Sequence, residues 1–361
     1  MGNQISKQIY NHQFTGNVPN PSSLSLANDG PPWRQFAPKL IPSTTNGTTP
    51  RPMDEDQAAR GRKYLADETE ARLVNAALVL RRPLLITGQA GVGKTSLAYS
   101  VAQQLGLGNV LRWNVTSRST LKDALYHYDA LARLHNASLR ASLREKGLAE
   151  PSLDFGDYIT LGPLGTALLP TNAAGYFPRV LLIDEIDKSD ADLPSDLLHV
   201  LEEGSFTIPE VDRLPQAHKG KTIQVNTCES SIGRVSIPSD GRIRCDDFPL
   251  IIMTSNGDRD FPPAFLRRCL QLAIPRPSLK KLETIINAHL GVDTMQDPDV
   301  GKLLNIFDSQ RSEKESLLAI DQLLNAIYLA SSAANVSPLE HTAIKEAVFR
   351  SLSESPQVGT I

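Results

Sequence analysis

Gly88-Gln89-Ala90-Gly91-Val92-Gly93-Lys94-Thr95 decides how this chain reads. The octet satisfies the pattern GxxxxGK[ST] in full, and Ser96 follows it. Glycines let a backbone fold tightly enough for successive N–H groups to face one phosphate, and the positive end of a following helix reinforces them. In that chemistry Lys94 reaches the terminal phosphates of a nucleotide, and Thr95 offers its hydroxyl to a magnesium ion. The surroundings suit it. Leu84-Leu85-Ile86-Thr87 is a short apolar run just upstream, and an alanine-rich amphipathic stretch from Thr95 to Leu105 lies downstream. Strand, glycine loop and helix are therefore expected in that order, with Gly88 through Ser96 holding the nucleotide. The bland alternative is a glycine-rich turn with a solvated lysine.

Moving outward, buried-strand candidates recur at Val110 to Val115, Val180 to Ile183 and Leu250 to Thr254, separated by helical or mixed segments. This alternation predicts an α/β core around a parallel sheet. A helix is expected over Glu68 to Leu80, with Leu73, Ala76, Ala77 and Leu80 on its buried face. The run Arg179-Val180-Leu181-Leu182-Ile183 ends abruptly on Asp184 and Glu185, and a buried strand does not end on two carboxylates cheaply unless a cation is near. Asp184 is placed to hold the magnesium shell and Glu185 to polarise an attacking water. Leu250-Ile251-Ile252-Met253-Thr254-Ser255 runs into Asn256, which is either a second water-positioning group or a plain turn asparagine before Gly257. Arg267 and Arg268 stand at a predicted helix end. They either face the helix dipole or act as fingers reaching a neighbouring subunit's phosphates.

Residues 1 to about 52 carry eight of the 25 prolines and little apolar periodicity, which reads as a tail. Within it, Pro31-Pro32-Trp33-Arg34-Gln35-Phe36 either covers the chain's own core or clips onto a partner. After Pro275 and Pro277 the pattern turns helical, at Leu279 to Leu290, Val300 to Phe307, Ile320 to Ser332 and Leu339 to Leu352. The expected division is a Pro-rich, poorly ordered tail over 1–64, an α/β nucleotide-binding domain over 65–277 and a small all-helical lid over 278–361. Lys and Arg number 37 against 40 Asp and Glu, a net charge of −3 that gives no long-range pull toward nucleic acid. No apolar run approaches the ~20 residues of a membrane span, and a cytoplasmic address is expected. Cys228, Cys245 and Cys269 are far apart and read as reduced thiols. The opening Met1-Gly2-Asn3-Gln4-Ile5-Ser6 fits the loose pattern for N-myristoylation.

Taken together, GQAGVGKTS, VLLIDEIDKSD, IIMTSNGDRDFPPAFLRRC and the helical end resemble the MoxR-type AAA+ ATPases, over about residues 65 to 350. The resemblance implies that Gly88 to Thr95 form the Walker A loop, Asp184 and Glu185 the Walker B pair and Asn256 sensor 1, with Arg267 or Arg268 as arginine finger. It also implies ATP and Mg2+ as cofactors and a homo-oligomeric, six-membered ring acting on a client or effector protein. Two stretches are longer than a minimal α/β unit needs, about 117–170 and 205–247. They are similar to the helix-2 insert of that clade and to its β-hairpin before sensor 1. One departure stands out: the lid reads Leu318-Ala319-Ile320-Asp321-Gln322-Leu323 where the family brings a sensor 2 arginine, although Arg311 is nearby.

Two functions compete at this point. One is a ring-forming ATPase that remodels a partner protein, as the resemblance implies. The other is a nucleotide-gated switch that assembles and signals to an effector in a bacterial stress or defence system. A DNA-directed motor would need a basic pore, of which the sequence gives no strong sign.

Overall fold

The computed structural model describes residues 51–148, 154–170, 178–214, 220–291, 298–313 and 320–332, together with Phe14, Pro31 and Arg34. Five short strands form the main sheet: β1 (Leu84–Thr87), β2 (Val110–Asn114), β3 (Val180–Asp184), β4 (Leu250–Ser255) and β5 (Leu270–Ala273). All pairings are parallel, in the order β5-β1-β4-β3-β2. Every residue of β3 and β4 is buried, as befits a parallel sheet covered on both faces. Side chains alternate between the two faces. Leu85, Leu181, Ile183, Ile251 and Met253 enter one apolar cluster, while Leu84, Ile86, Val180, Leu182, Leu250 and Ile252 enter the other.

Helix Lys94–Gln104 lies on the second face with Leu97 and Val101 fully buried, each contributing about 1.5–3 kcal/mol by leaving water. Helix Glu68–Leu80 begins at a capping box in which Asp67 accepts from the Glu70 amide and the Glu70 carboxylate accepts from the Asp67 amide. Its buried residues are Glu70, Ala71, Val74 and Ala77. The face is thus rotated from the one expected, and Leu73 only borders the core. The reason is tertiary: Glu70 turns inward to meet polar partners from two other elements, described below.

The tail boundary also differs from expectation. Helix Glu55–Lys63 lies inside the stretch read as tail, and Gly61 seats it so closely on helix Lys94–Gln104 that an added Cβ would stand 2.6 Å from the Tyr99 carbonyl. Further upstream, Phe14 is 1% exposed within the apolar cluster around β1, and its backbone N–H donates to Asn75 Oδ1 at 2.9 Å. Arg34 lies over the Phe248 ring and donates to the Leu201 carbonyl. These two residues cover the chain's own core. Trp33 and Phe36 lie outside the described residues.

The two long stretches, 117–170 and 205–247, share one small sheet. Strands Tyr126–Tyr128, Ile159–Leu161, Thr222–Thr227 and Arg234–Pro238 follow one another in it, and the pairing of Thr160 with Asn226 crosses from one stretch to the other. The expected hairpin is present as Thr222–Thr227 against Arg234–Pro238. Close packing dictates small residues here: an added Cβ on Gly165 would lie 1.9 Å from the Leu125 carbonyl. Helix Ala130–Glu145 projects from this unit with no buried residue, and Leu131 and Leu134 are 80% and 66% exposed.

Beyond Pro277, helices Leu279–Leu290, Pro298–Glu313 and Ile320–Ser332 enclose their own core of Leu282, Ile286, Val300, Leu303, Phe307, Leu323 and Ile327. The expected helix at Leu339 to Leu352 lies outside the described residues. Among the described residues no helix is long and apolar enough to cross a membrane. Burial pushes the Cys245 and Cys269 thiols up to about 12.

Candidate functional site

The site forms where β1, β3 and β4 end. Gly93 closes the glycine loop at φ +94°, a left-handed conformation that side chains resist, and it caps the helix that starts at Lys94. A Cβ at Gly93 would also strike the Tyr64 ring at 2.8 Å. The loop therefore needs glycine twice over, for its turn and for the aromatic beside it. Ala90 and Gln89 are exposed at its tip, and Gln89 Oε1 accepts from Arg276 Nε.

Lys94 is buried, and its ammonium uses three donors on three oxygens: the Gly88 and Gln89 carbonyls, each at 2.7 Å, and Asn256 Oδ1 at 2.8 Å. Burial pulls its pKa below the ordinary lysine value, opposed by Asp187, Asp184, Glu185 and Asp258. Thr95 Oγ1 donates to Asp184 Oδ1 at 3.0 Å. Loop, Asp184 and Asn256 are thus one site, although they are scattered over more than 160 residues of sequence.

Asp184 is held by more than the loop. The Thr254 hydroxyl donates to its Oδ1 at 2.6 Å, and Arg112 Nη2 to its Oδ2 at 2.6 Å. β-sheet register explains both contacts, since Asn114 pairs with Asp184 across β2 and Met253 with Ile183 across β4. Glu185 differs. Its backbone sits at φ +60° with its N–H donating to Thr254 Oγ1, while its half-exposed carboxylate accepts from Lys188 Nζ at 2.6 Å. No hydrogen bond joins that carboxylate to Lys94, Thr95 or Asn256 among the described residues.

Asp187 was not legible as a site residue, yet it is 3% exposed and its Oδ2 accepts from three successive backbone amides, Asn256, Gly257 and Asp258. It fixes the turn that carries Asn256. Arg259 adds a second tie, donating to the Ser189 carbonyl at 2.7 Å. Arg112, Asp187 and Lys188 were missed because each acts across a sheet or a turn. The one available signal was the unusual density of charge in Asp184-Glu185-Ile186-Asp187-Lys188.

A cleft opens beside the loop, lined by Tyr64, Leu65, Val92, Gly93, Ser96, Ile274, Pro275 and, from the helical region, Lys281, Ile285, His289, Ile320, Asp321 and Leu324. Its apolar walls and flat aromatic border suit a planar base, with phosphates running toward Lys94. Tyr64 hydroxyl donates to buried Glu70 Oε2 at 3.0 Å, and Lys281 Nζ lies 3.4 Å from Glu70 Oε1. Burial raises the Glu70 pKa, with Lys281 opposing it. Glu70 thus joins the loop-side aromatic to the first helix after Pro277. Among the described residues, no arginine from residue 279 onward lines the cleft, and the Arg311 side chain lies outside them.

The two candidate fingers behave differently. Arg268 Nε pairs with Glu202 Oε1, and its Nη1 donates to the Ala264 carbonyl. Arg267 is exposed and its side chain has no partner among the described residues. Both precede β5, whose Leu270 N–H donates to the Pro83 carbonyl at the start of β1, whereas the glycine loop leaves the far end of β1. Four residues of strand, roughly 10 Å or more at about 3.3 Å each, separate them from the loop of their own chain.

The hard oxygen donors of Thr95 and Asp184 fit a magnesium ion that keeps most of its other positions for phosphate and water. Among the described residues no cluster of three or more His, Cys, Asp or Glu gathers as an all-protein metal cage. A parallel sheet with a glycine loop and acid pair at its carboxyl end defines the class of P-loop NTPases. Within that class, the AAA domain of the dynein-related subfamily matches residues 83–269, and the chain belongs to this family of AAA+ ATPases. No curated protein matches the sequence significantly. Among solved structures, domain III of the Thermotoga maritima replication initiation protein DnaA is 16% identical, with 83% of this chain and 99% of that chain covered and a TM-score of 0.37. PCH-2 of C. elegans is likewise 16% identical, covering 82% of this chain and 67% of its own, with a TM-score of 0.37. Both are distant likenesses.

Proposed function

We propose that this chain binds and hydrolyses Mg-ATP as a MoxR-type AAA+ ATPase, assembling into a homo-oligomeric ring that remodels a partner protein. The observation that carries the reading is the convergence of Lys94, Thr95, Asp184 and Asn256 through contacts of 2.8 and 3.0 Å. In this reading Gly88 to Ser96 cradle the phosphates, with Lys94 exchanging its carbonyl partners for phosphate oxygens. Thr95 and Asp184 would hold magnesium, whose contribution when bound is to neutralise charge on the phosphates. Glu185 accepts a proton from the attacking water, and Asn256, anchored by Asp187, orients that water. Arg267 is the finger, because its side chain has no partner among the described residues and it is too far from its own loop to serve it. The accompanying division is an α/β unit running from helix Glu55–Lys63 to Pro277, followed by a helical lid.

The Glu185 carboxylate, drawn to Lys188, also favours slow turnover, and with it the second reading of a nucleotide-gated switch signalling to an effector. One variant separates the two. Glu185→Gln is expected to keep ATP-driven assembly, measured by mass photometry, while losing at least a hundredfold in turnover. Wild-type turnover in that variant would overturn the hydrolytic site. Loss of turnover with full biological activity would leave the switch and remove the remodeller.

A further inference from the structure

We propose that Arg276 is a ligand of the terminal phosphate within its own chain, one that leaves the Gln89 side chain for ATP but not for ADP and so reports the state of the nucleotide to the helical region beyond Pro277. The proposal rests on the Mg-ATP reading given above. Its starting point is the contact of Arg276 Nε with Gln89 Oε1, across 187 residues of sequence. Gln89 is exposed at the tip of the glycine loop, and its own carbonyl accepts from Lys94 Nζ at 2.7 Å. Since Lys94 is the group that meets the terminal phosphates, Arg276 is a second cation at the same end of the loop. Its backbone is preset. The Ile274 N–H donates to the Thr87 carbonyl at 2.8 Å, an added Cβ on Gly88 would stand 2.7 Å from the Ile274 carbonyl, and Pro275 and Pro277 restrict the chain on either side. The side chain is left as the part that can move.

Electrostatics favour the move. The charges that act on Lys94 belong to the carboxylates of Asp187, Asp184, Glu185 and Asp258, and the Arg112 guanidinium is committed to Asp184 Oδ2 at 2.6 Å. A triphosphate adds further negative charge to this end of the cleft. Gln89 offers Arg276 a neutral amide oxygen, whereas a phosphate offers anionic oxygens, and charge-assisted bonds are about twice as strong as neutral ones. The planar guanidinium also matches two phosphate oxygens at once. ADP lacks the outer phosphate, so Arg276 stays with Gln89 in that state. The consequence reaches the helical region because Arg276 stands just before Ser278, the N-cap of helix Leu279–Leu290, whose Lys281 lies 3.4 Å from buried Glu70. One short segment thus carries a contact to the loop tip and a contact to the base side of the cleft.

The test is calorimetry on the full chain with Mg2+ and either ADP or the non-hydrolysable analogue AMP-PNP, beside the nucleotide-free melting temperature. Arg276→Gln should weaken AMP-PNP binding at least about tenfold and leave ADP binding within about twofold of wild type. A glutamine at this position can still pair with the Gln89 amide, so the loop keeps its tie and the melting temperature stays at the wild-type value. Arg276→Lys should fall between the two, since it keeps the charge without the fork. Equal weakening of both nucleotides, or of neither, overturns the proposal; should Arg276→Gln lower the melting temperature, the same comparison in Arg276→Lys decides. Lys94→Ala run alongside separates this proposal from the reading it rests on. If Lys94→Ala binds both nucleotides as wild type does, the pocket itself is misassigned; if it loses both while Arg276→Gln loses neither, only the role of Arg276 falls.

Discussion

The two ends of the five-stranded sheet are built on opposite principles. At the carboxyl end the catalytic candidates are satisfied within the chain: Lys94 has three oxygens, Asp184 has Thr95, Thr254 and Arg112, and Glu185 has Lys188. At the amino end Arg268 is tied to Glu202, but Arg267 stands exposed with no side-chain partner among the described residues. One end is a pocket closed by contacts within the chain, and the other carries an arginine whose side chain makes no such contact among the described residues. A single copy holds both halves about a strand's length apart, and in the proposed ring copies placed head to tail would bring them together.

The contrast can be broken from either end. The largest effect is expected for Lys94→Ala, which removes the cation at the core of the pocket. ATP affinity should fall about a thousandfold, or about 4 kcal/mol, by calorimetry, and unchanged affinity would dissolve the pocket. Next comes Arg267→Ala, which should bind ATP normally but lose at least a hundredfold in turnover. Mixing it with Lys94→Ala protein should recover some activity, since an intact pocket then meets an intact finger; no recovery at any ratio speaks against a shared site. Asp187→Asn weakens the anchoring of three amides without emptying the space, and a stability loss of about 1.5 kcal/mol in urea is expected. The smallest effect belongs to Arg268→Ala, with turnover within threefold of wild type. A larger loss there than at Arg267 would reverse the assignment of the finger.

Much of this was legible in the sequence, for a physical reason. Buried parallel strands must be apolar throughout and must stop where backbone meets solvent or ligand, so β1, β3 and β4 announce themselves as short apolar runs ending on polar residues, and the edge strand β2 still opens on Val110-Leu111. Leu270-Gln271-Leu272-Ala273 did not, because an edge strand exposed on one side carries polar Gln271 within it and shows no continuous apolar run. The glycine loop, Asp184 and Asn256 carry their chemistry in local spacing. Tyr64, Arg112, Asp187 and Lys188 acquire theirs only when register and turns bring them to the site. Helix Glu68–Leu80 shows the same limit, since its buried face is set by Glu70 meeting Tyr64 and Lys281, not by its leucines.

The pairing of Thr160 with Asn226 carries a lesson for anyone reshaping this molecule. The segments on either side of β3 are separate inserts in the chain but a single building block in space, so trimming one would strip the other's strand of its ladder partner and leave a sticky, unpaired margin. Grafting or deletion has to treat them as an inseparable couple, and natural variants should be found to keep both or neither.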